Sequence, residues 1–94
     1  MRTRILKVVT QDTVSYVPSN KTEGGQLAKS VIRLSELGGK YENSYVCSMF
    51  GNLALCKFYS GDIVATSLRF QAREVNGQYY QDVVVNDIVK LNGK

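Results

Sequence analysis

The pair Asn76–Gly77 lies between two long runs of β-forming residues, and it constrains the fold more than any other feature of the sequence. Asn-Gly between strands favours a type I′ hairpin, because both residues of that turn adopt positive φ. The sequence therefore predicts two antiparallel strands, residues 63–75 and 78–91, joined by a tight turn. Alternation assigns one face of the first strand to the core. The residues on that face are Val64, Thr66, Leu68, Phe70 and Ala72.

Three more strand-like segments precede this hairpin. Residues 2–17 read as one long strand whose pattern breaks near Gln11–Asp12, which indicates a bulge or a bend. Residues 26–37 and 45–50 alternate as strands that each bury one face. The predicted buried residues are Ser30, Ile32 and Leu34 in the former and Tyr45, Cys47 and Met49 in the latter. Between residues 51 and 59, the apolar spacing favours a two-turn helix with Asn52 as its N-cap.

The order strand, strand, strand, short helix, strand, strand is the layout of the OB-fold, a partly open Greek-key barrel that often binds oligonucleotides. A broken first strand suits such a barrel, because one strand then contributes to both of its sides. We therefore predict an all-β protein with a five-stranded OB-fold barrel and one short helix between strands 3 and 4. Residues 1–94 are predicted to form a single domain. Another five-stranded barrel or a small sandwich is the alternative architecture.

The composition disfavours catalysis. The chain has no His, the commonest general base, and neither Gly24–Gly25 nor Gly38–Gly39 belongs to the Gly-x-x-x-x-Gly-Lys pattern of a phosphate-binding loop. Two Cys without His cannot supply the four ligands of a structural zinc ion. We therefore expect no enzyme activity, no catalytic residue, no metal site and no cofactor. Cys47 and Cys56 both neighbour apolar residues and are predicted to be buried thiols, with a disulfide between them as the alternative.

No apolar run approaches the ~20 residues of a membrane-spanning helix, and the basic N-terminus lacks the cleavage site of a signal peptide. We therefore expect a cytoplasmic protein with no membrane partner. The formal net charge of +4 permits a phosphate-bearing or acidic partner.

Basic and aromatic residues occur together at several points, which is the composition of grooves that bind single strands. The basic residues predicted on the outward faces of neighbouring strands are Lys29, Arg33, Arg69 and Arg73. Cations placed in this way can follow a phosphate backbone, although a charge on an outward face is often only solvated. Phe58 and Phe70 are predicted to lie in the core, because their positions follow the apolar pattern.

Several segments resemble the bacterial single-stranded DNA-binding protein family, the OB-fold group that includes primosomal replication protein N. In chain order, these segments are AKSVIRL, VCSMFGNLA, GDIVATSLRF and QDVVVNDIVKL. The segment RFQAREVNGQYYQDVVV also resembles a family of small uncharacterised bacterial OB domains, whose fourth and fifth strands meet at an Arg-Glu-x-Asn-Gly hairpin.

The resemblance implies that aromatic side chains stack on bases. Phe50, directly before Gly51, matches a position where the family carries a stacking aromatic. Tyr41 lies in the region of a second such residue, and Tyr79 and Tyr80 lie near the hairpin tip, where a third is found. The structural alternatives are that Phe50 caps the barrel end and that one of the two adjacent tyrosines is partly in the core, since neighbours in a strand face opposite ways.

We therefore expect non-catalytic binding of single-stranded DNA, with RNA as a second ligand class, in an accessory role in replication or recombination. The absence of Trp, the short turn after Val75 and the absence of an acidic tail fit a small bacterial or phage accessory form better than a genome-coating protein. The alternative is a protein–protein interaction or assembly module without nucleic-acid affinity. In either case we expect a homodimer or homotetramer, since association stabilises a small barrel.

Overall fold

A computed structural model describes residues 3–19, 23–38 and 42–92. The elements in chain order are β1 (Thr3–Gln11), β2 (Ser15–Pro18), a short 3-10 helix (Glu23–Gly25), β3 (Gln26–Glu36), β4 (Ser44–Phe50), α1 (Asn52–Leu55), β5 (Ile63–Val75) and β6 (Gln78–Lys90). The long first strand predicted from the sequence is divided into β1 and β2 by residues 12–14, at the break in its pattern. None of the helices in the described part of the chain has the length and apolar character needed to cross a membrane.

The strands close into a barrel. β1 pairs antiparallel with β5 on one side and with β3 on the other, β3 pairs with β4, and β5 pairs with β6. A parallel contact between β4 and β6, at Ser48 and Val84, completes the ring. β2 lies on the edge of β3, and α1 packs against β3 and β4. This ring, with its first strand divided and a short helix before β5, confirms the predicted OB-fold barrel.

Alternation within β3 and β4 places the core as predicted. Ile32 pairs with Cys47 and Ser30 pairs with Met49, and all four side chains are buried. Each large apolar side chain that is removed from water in this way contributes about 1.5–3 kcal/mol. The remaining residues of the core cluster come from β1, β3, β5, β6 and the segment around α1. They include Leu6, Val8, Leu34, Ala54, Phe58, Val64, Leu68, Val85 and Ile88.

The two cysteines have different surroundings, and both thiols are free. Burial raises the pKa of Cys47 to about 11, so its thiol is neutral at physiological pH. Cys56 is exposed, and the prediction of a buried thiol is wrong for this residue. The reason is that Cys56 lies at the C-cap of α1, outside the barrel wall.

The helix is shorter than predicted, and Asn52 is not its N-cap. α1 contains four residues, and the N-cap is Gly51, which has a φ of 67°. The side chain of Gln11 accounts for the early end, because it donates to the Cys56 carbonyl oxygen at 2.8 Å and accepts from the Phe58 amide at 2.7 Å. Backbone groups that a second helical turn would use are therefore bonded to β1, and the extended chain brings Phe58 into the core.

The β5–β6 hairpin has the predicted turn, since Asn76 and Gly77 have φ values of 51° and 80°. The two strands pair along their whole length, but the barrel encloses only their inner part. Leu68 and Val85 are buried, whereas every residue from 69 to 81 is exposed. We call residues 69–84 the arm.

The arm overturns three predictions about burial. Phe70 is 43% exposed and Ala72 is also exposed, although both were assigned to the core face of β5. Tyr79 and Tyr80 are 78% and 43% exposed, so neither lies in the core. The common cause is that the hairpin extends beyond the strands that would cover it.

Candidate nucleic-acid interface

The arm presents two faces, because side chains alternate along each strand and paired residues share a face. The groove face carries three cross-strand pairs: Arg69 with Val84, Gln71 with Asp82 and Arg73 with Tyr80. The mouth face, which continues the core side of the barrel, carries Phe70 with Val83, Ala72 with Gln81 and Glu74 with Tyr79.

A groove of about 290 Å³ lies where the groove face of the arm meets the outward faces of β3 and β4. Its lining residues are Lys29, Ser48, Phe50, Arg69, Gln71, Arg73, Asp82 and Val84. A ladder of pairs places these elements side by side, running from Val31 to Ser48, then to Val84 and Arg69. The groove therefore gathers four of the predicted binding residues, Lys29, Phe50, Arg69 and Arg73, from three separate strands.

Phe50 occupies the end of β4, where the chain turns at Gly51 into α1. As predicted, it faces away from Cys47 and Met49, and its ring is half-buried. Lys29 is its direct partner on β3, with the ammonium nitrogen 5.8 Å from the ring centroid. A ring and a cation are thus neighbours in the groove.

Each of the two arginines in the groove has a polar partner on the arm. With its amide assigned so that the oxygen faces the Arg69 donors, Gln71 accepts from Arg69 Nε at 2.9 Å and from Nη2 at 3.1 Å. Arg73 donates from Nε to Asp82 Oδ2 at 2.7 Å, and its guanidinium carbon lies 5.1 Å from the Tyr80 ring centroid. A guanidinium has more N–H donors than these contacts use, so both groups are oriented and still able to bind phosphate.

Searches with protein-family models and with curated protein sequences give no match to this chain. The chemistry of the groove is therefore judged from its own residues. It contains the cations Lys29, Arg69 and Arg73 and the single carboxylate of Asp82, so its formal charge is positive. A positive groove beside an aromatic ring is the arrangement found in proteins that bind single strands.

The other predicted binding residues lie elsewhere. Arg33 is on the outward face of β3 but lines a separate depression with Thr10, Asp12, Val31 and Val46. Tyr80 is on the groove face beside Arg73, whereas Tyr79 is on the mouth face. Tyr41 lies outside the described residues.

The sequence reasoning missed Ser48, Gln71, Asp82 and Val84 as groove residues. A signal for two of them was available, because a two-residue turn at Asn76–Gly77 fixes the register of the hairpin. In that register, Gln71 must pair with Asp82. Ser48 and Val84 depend on the parallel contact between β4 and β6, which no local pattern reveals.

A further cluster closes the end of the barrel beneath the mouth face. The Arg4 guanidinium carbon lies 5.7 Å from the Tyr45 ring centroid and 5.8 Å from that of Phe70. The two rings meet edge-on with their centroids 6.3 Å apart. The cation–π contacts and the packing of Tyr45 against the core indicate a structural role for this cluster.

Another depression, of about 260 Å³, lies between residues 11–14 and 57–59. One of its lining side chains, Gln11, is bonded to the backbone of Cys56 and Phe58 and thereby joins β1 to the segment after α1. Among the residues that the structure describes, no three His, Cys, Asp or Glu side chains come together as metal ligands.

Proposed function

We propose that this protein binds single-stranded nucleic acid, DNA in the first place, in the groove between the arm and the barrel, without catalysis. The observation that carries the proposal is the convergence of Lys29, Phe50, Arg69 and Arg73 on one groove. Such binding fits an accessory role in replication or recombination.

The Phe50 ring provides a stacking surface, and stacking of one base on an aromatic side chain contributes about 1–3 kcal/mol. Arg69 and Arg73 lie on the same face of β5, four residues apart, which separates their Cα atoms by roughly 13 Å. They therefore contact different phosphates of one strand. Rings and cations bind features that every nucleotide has, so the groove accepts many sequences.

Titration of a labelled single-stranded oligonucleotide of mixed sequence at low salt tests this proposal. We expect binding at micromolar protein, and we expect Phe50→Ala to weaken it by about 1–3 kcal/mol. Phe70→Ala is the matched control, because it removes the same ring from the mouth face. Absence of binding at tens of micromolar contradicts the proposal, and equal affinity of Phe50→Ala and the unchanged protein contradicts the stacking role. A parallel titration with RNA of the same sequence shows whether the protein binds deoxyribose or ribose strands more tightly.

The salt dependence tests the cations separately. The slope of log K against log salt is negative, and each phosphate contact that is lost reduces its magnitude by about 0.7 for single strands. We expect Arg69→Ala to reduce the magnitude of the slope by one such step. Arg33→Ala, outside the groove, should change it less. Equal effects of the two substitutions would indicate a diffuse charge effect in place of a groove.

A second candidate function, a protein-interaction or assembly module, is favoured by the mouth face. Phe70 and Tyr79 are exposed there, Glu74 lies on the same face and Arg4 lies beside Phe70, so among these residues one negative and one positive charge balance. Aromatic residues with little net charge are typical of protein interfaces. We propose association of the chain into a homodimer or homotetramer through this face. Sedimentation of the unchanged protein and of a Phe70→Ala, Tyr79→Ala double variant tests it, and equal sedimentation of the two would contradict it.

A further inference from the structure

Asp82 is a carboxylate in a groove that we propose binds a polyanion. Its side chain is 38% exposed, and its Oδ2 accepts from Arg73 Nε at 2.7 Å. Within the part of the chain that the structure describes, Asp82 Oδ1 accepts no hydrogen bond. The carboxylate of Asp82 and a phosphate repel each other, so Oδ1 brings no advantage to a groove that binds phosphates alone.

The position of Asp82 suits contact with bases better than contact with phosphates. It pairs with Gln71, which lies between Arg69 and Arg73 on β5. The two arginines are the groups that attract phosphate. The Arg73 guanidinium offsets the charge of the carboxylate and fixes Oδ2, which leaves Oδ1 as the atom that faces a ligand. When a nucleic-acid strand binds both arginines through its phosphates, the base between those phosphates therefore lies beside Asp82 Oδ1.

An ionised carboxylate can only accept hydrogen bonds, so its partner must be a donor. Cytosine, adenine and guanine each carry an exocyclic amino group that can donate to a carboxylate. The one donor on the pairing edge of thymine and uracil, N3–H, is flanked by two carbonyl oxygens that repel a carboxylate. A single strand exposes these groups for hydrogen bonding, because its bases are not paired. Opposite Asp82 Oδ1, an amino group forms a charge-assisted bond, and the thymine oxygen places one acceptor against another.

We propose that Asp82 gives the groove a preference for bases with an exocyclic amino group over thymine and uracil. This inference rests on the proposed function, since it assigns a selectivity to the same groove. It makes Asp82 a residue that determines specificity in addition to one that positions Arg73.

Two simpler roles for Asp82 make different predictions. If Asp82 only positions Arg73, its substitution weakens binding of every oligonucleotide by the same factor. If it only repels phosphate, substitution strengthens binding of every oligonucleotide by the same factor. Base selectivity alone changes the ratio between oligonucleotides, so the ratio is the quantity to measure.

The test compares oligo-dC, oligo-dA and oligo-dT of equal length at one salt concentration, on the unchanged protein, on Asp82→Asn and on Glu74→Gln. We expect the unchanged protein to bind oligo-dC and oligo-dA about tenfold more tightly than oligo-dT. Asp82→Asn should remove most of this ratio, because an amide can donate to thymine as well as accept from an amino group. Oligo-dT should also bind Asp82→Asn more tightly than the unchanged protein, since a like charge has been removed.

Glu74→Gln is the control, because it removes the same charge from the mouth face of the same arm. It should leave the ratio unchanged. Equal binding of all three oligonucleotides to the unchanged protein would overturn the inference and leave the proposed function standing. A ratio that survives in Asp82→Asn, or oligo-dA binding like oligo-dT, would also overturn it. Failure of every oligonucleotide to bind would instead overturn the proposed function itself.

Discussion

The inner and outer halves of the β5–β6 hairpin belong to the same two strands and the same hydrogen-bonded ladder, yet they differ in almost every other respect. In the inner half, β1 pairs with β5 from Ile63 to Ser67, and alternate side chains enter the core. In the arm, pairing with β1 has ended and residues 69–81 are all exposed. Coverage by neighbouring strands therefore decides which half is structural. The side chains of the arm are free to meet a ligand.

Truncation of a large side chain should separate the two regions most strongly. Leu34 is fully buried in the barrel, and Leu34→Ala should lower the free energy of unfolding by about 2–5 kcal/mol, because it leaves a cavity. Tyr79→Ala, on the arm, should change it by no more than about 0.5 kcal/mol. Denaturant unfolding of both variants measures the difference. Similar losses of stability would mean that Tyr79 packs against other residues of this chain, and would contradict the exposure of the arm.

Two carboxylate ion pairs among the described residues offer a second comparison. Asp62 Oδ2 lies 3.2 Å from Lys90 Nζ in a largely buried site, and it also accepts from the Tyr59 amide at 2.8 Å. Asp62→Ala removes these bonds at a buried position and should cost about 1–3 kcal/mol of stability. Asp82→Ala breaks the solvent-screened pair with Arg73, and we expect a change within about 1 kcal/mol. Thermal unfolding compares the two variants. A loss of stability for Asp82→Ala equal to or larger than that for Asp62→Ala would contradict the claim that the arm contributes little to the stability of the barrel.

Two turn glycines with positive φ sharpen the comparison further. Gly61, with φ of 93°, donates to the Val8 carbonyl oxygen at 2.8 Å and joins the barrel turn to β1. Gly77, with φ of 80°, lies at the arm tip. Neither site is crowded, so a substitution to Ala adds backbone strain alone. Gly61→Ala should cost about 1–2 kcal/mol of global stability, and Gly77→Ala less than about 0.5 kcal/mol. Amide hydrogen exchange should locate the effect of Gly77→Ala within the arm, and exchange that rises throughout the barrel would refute this.

Local signals were enough to predict the turn at Asn76–Gly77, the order of strands and helix along the chain, and the buried faces of β3 and β4. They did not reveal where the barrel ends, because alternation along β5 continues unchanged after β1 has stopped pairing with it. Phe70 was misplaced for that reason. A register shift in β6 between the partners of Ser67 and Leu68 also changes which side chains face inward, and it has no signature in the sequence.

The candidate site was predictable to a similar extent. Lys29, Phe50, Arg69 and Arg73 have the residue types that a binding groove needs, and alternation placed them outward. Alternation alone could not distinguish Lys29 from Arg33, which share the outward face of β3. The groove runs across the strands and meets β3 only at Lys29, so the distinction depends on how the barrel closes.

The most direct test of the central claim is the affinity of an armless variant for a single-stranded oligonucleotide. This variant lacks residues 70–75 and 78–83, so that Asn76–Gly77 connects Arg69 to Val84, a native pair of the same type as the one that flanks the native turn. We predict that it unfolds cooperatively and that it binds the oligonucleotide at least about tenfold more weakly than the unchanged protein at low salt. An armless variant that fails to fold, or that binds as tightly as the unchanged protein, would contradict the separation of a structural barrel from a binding arm.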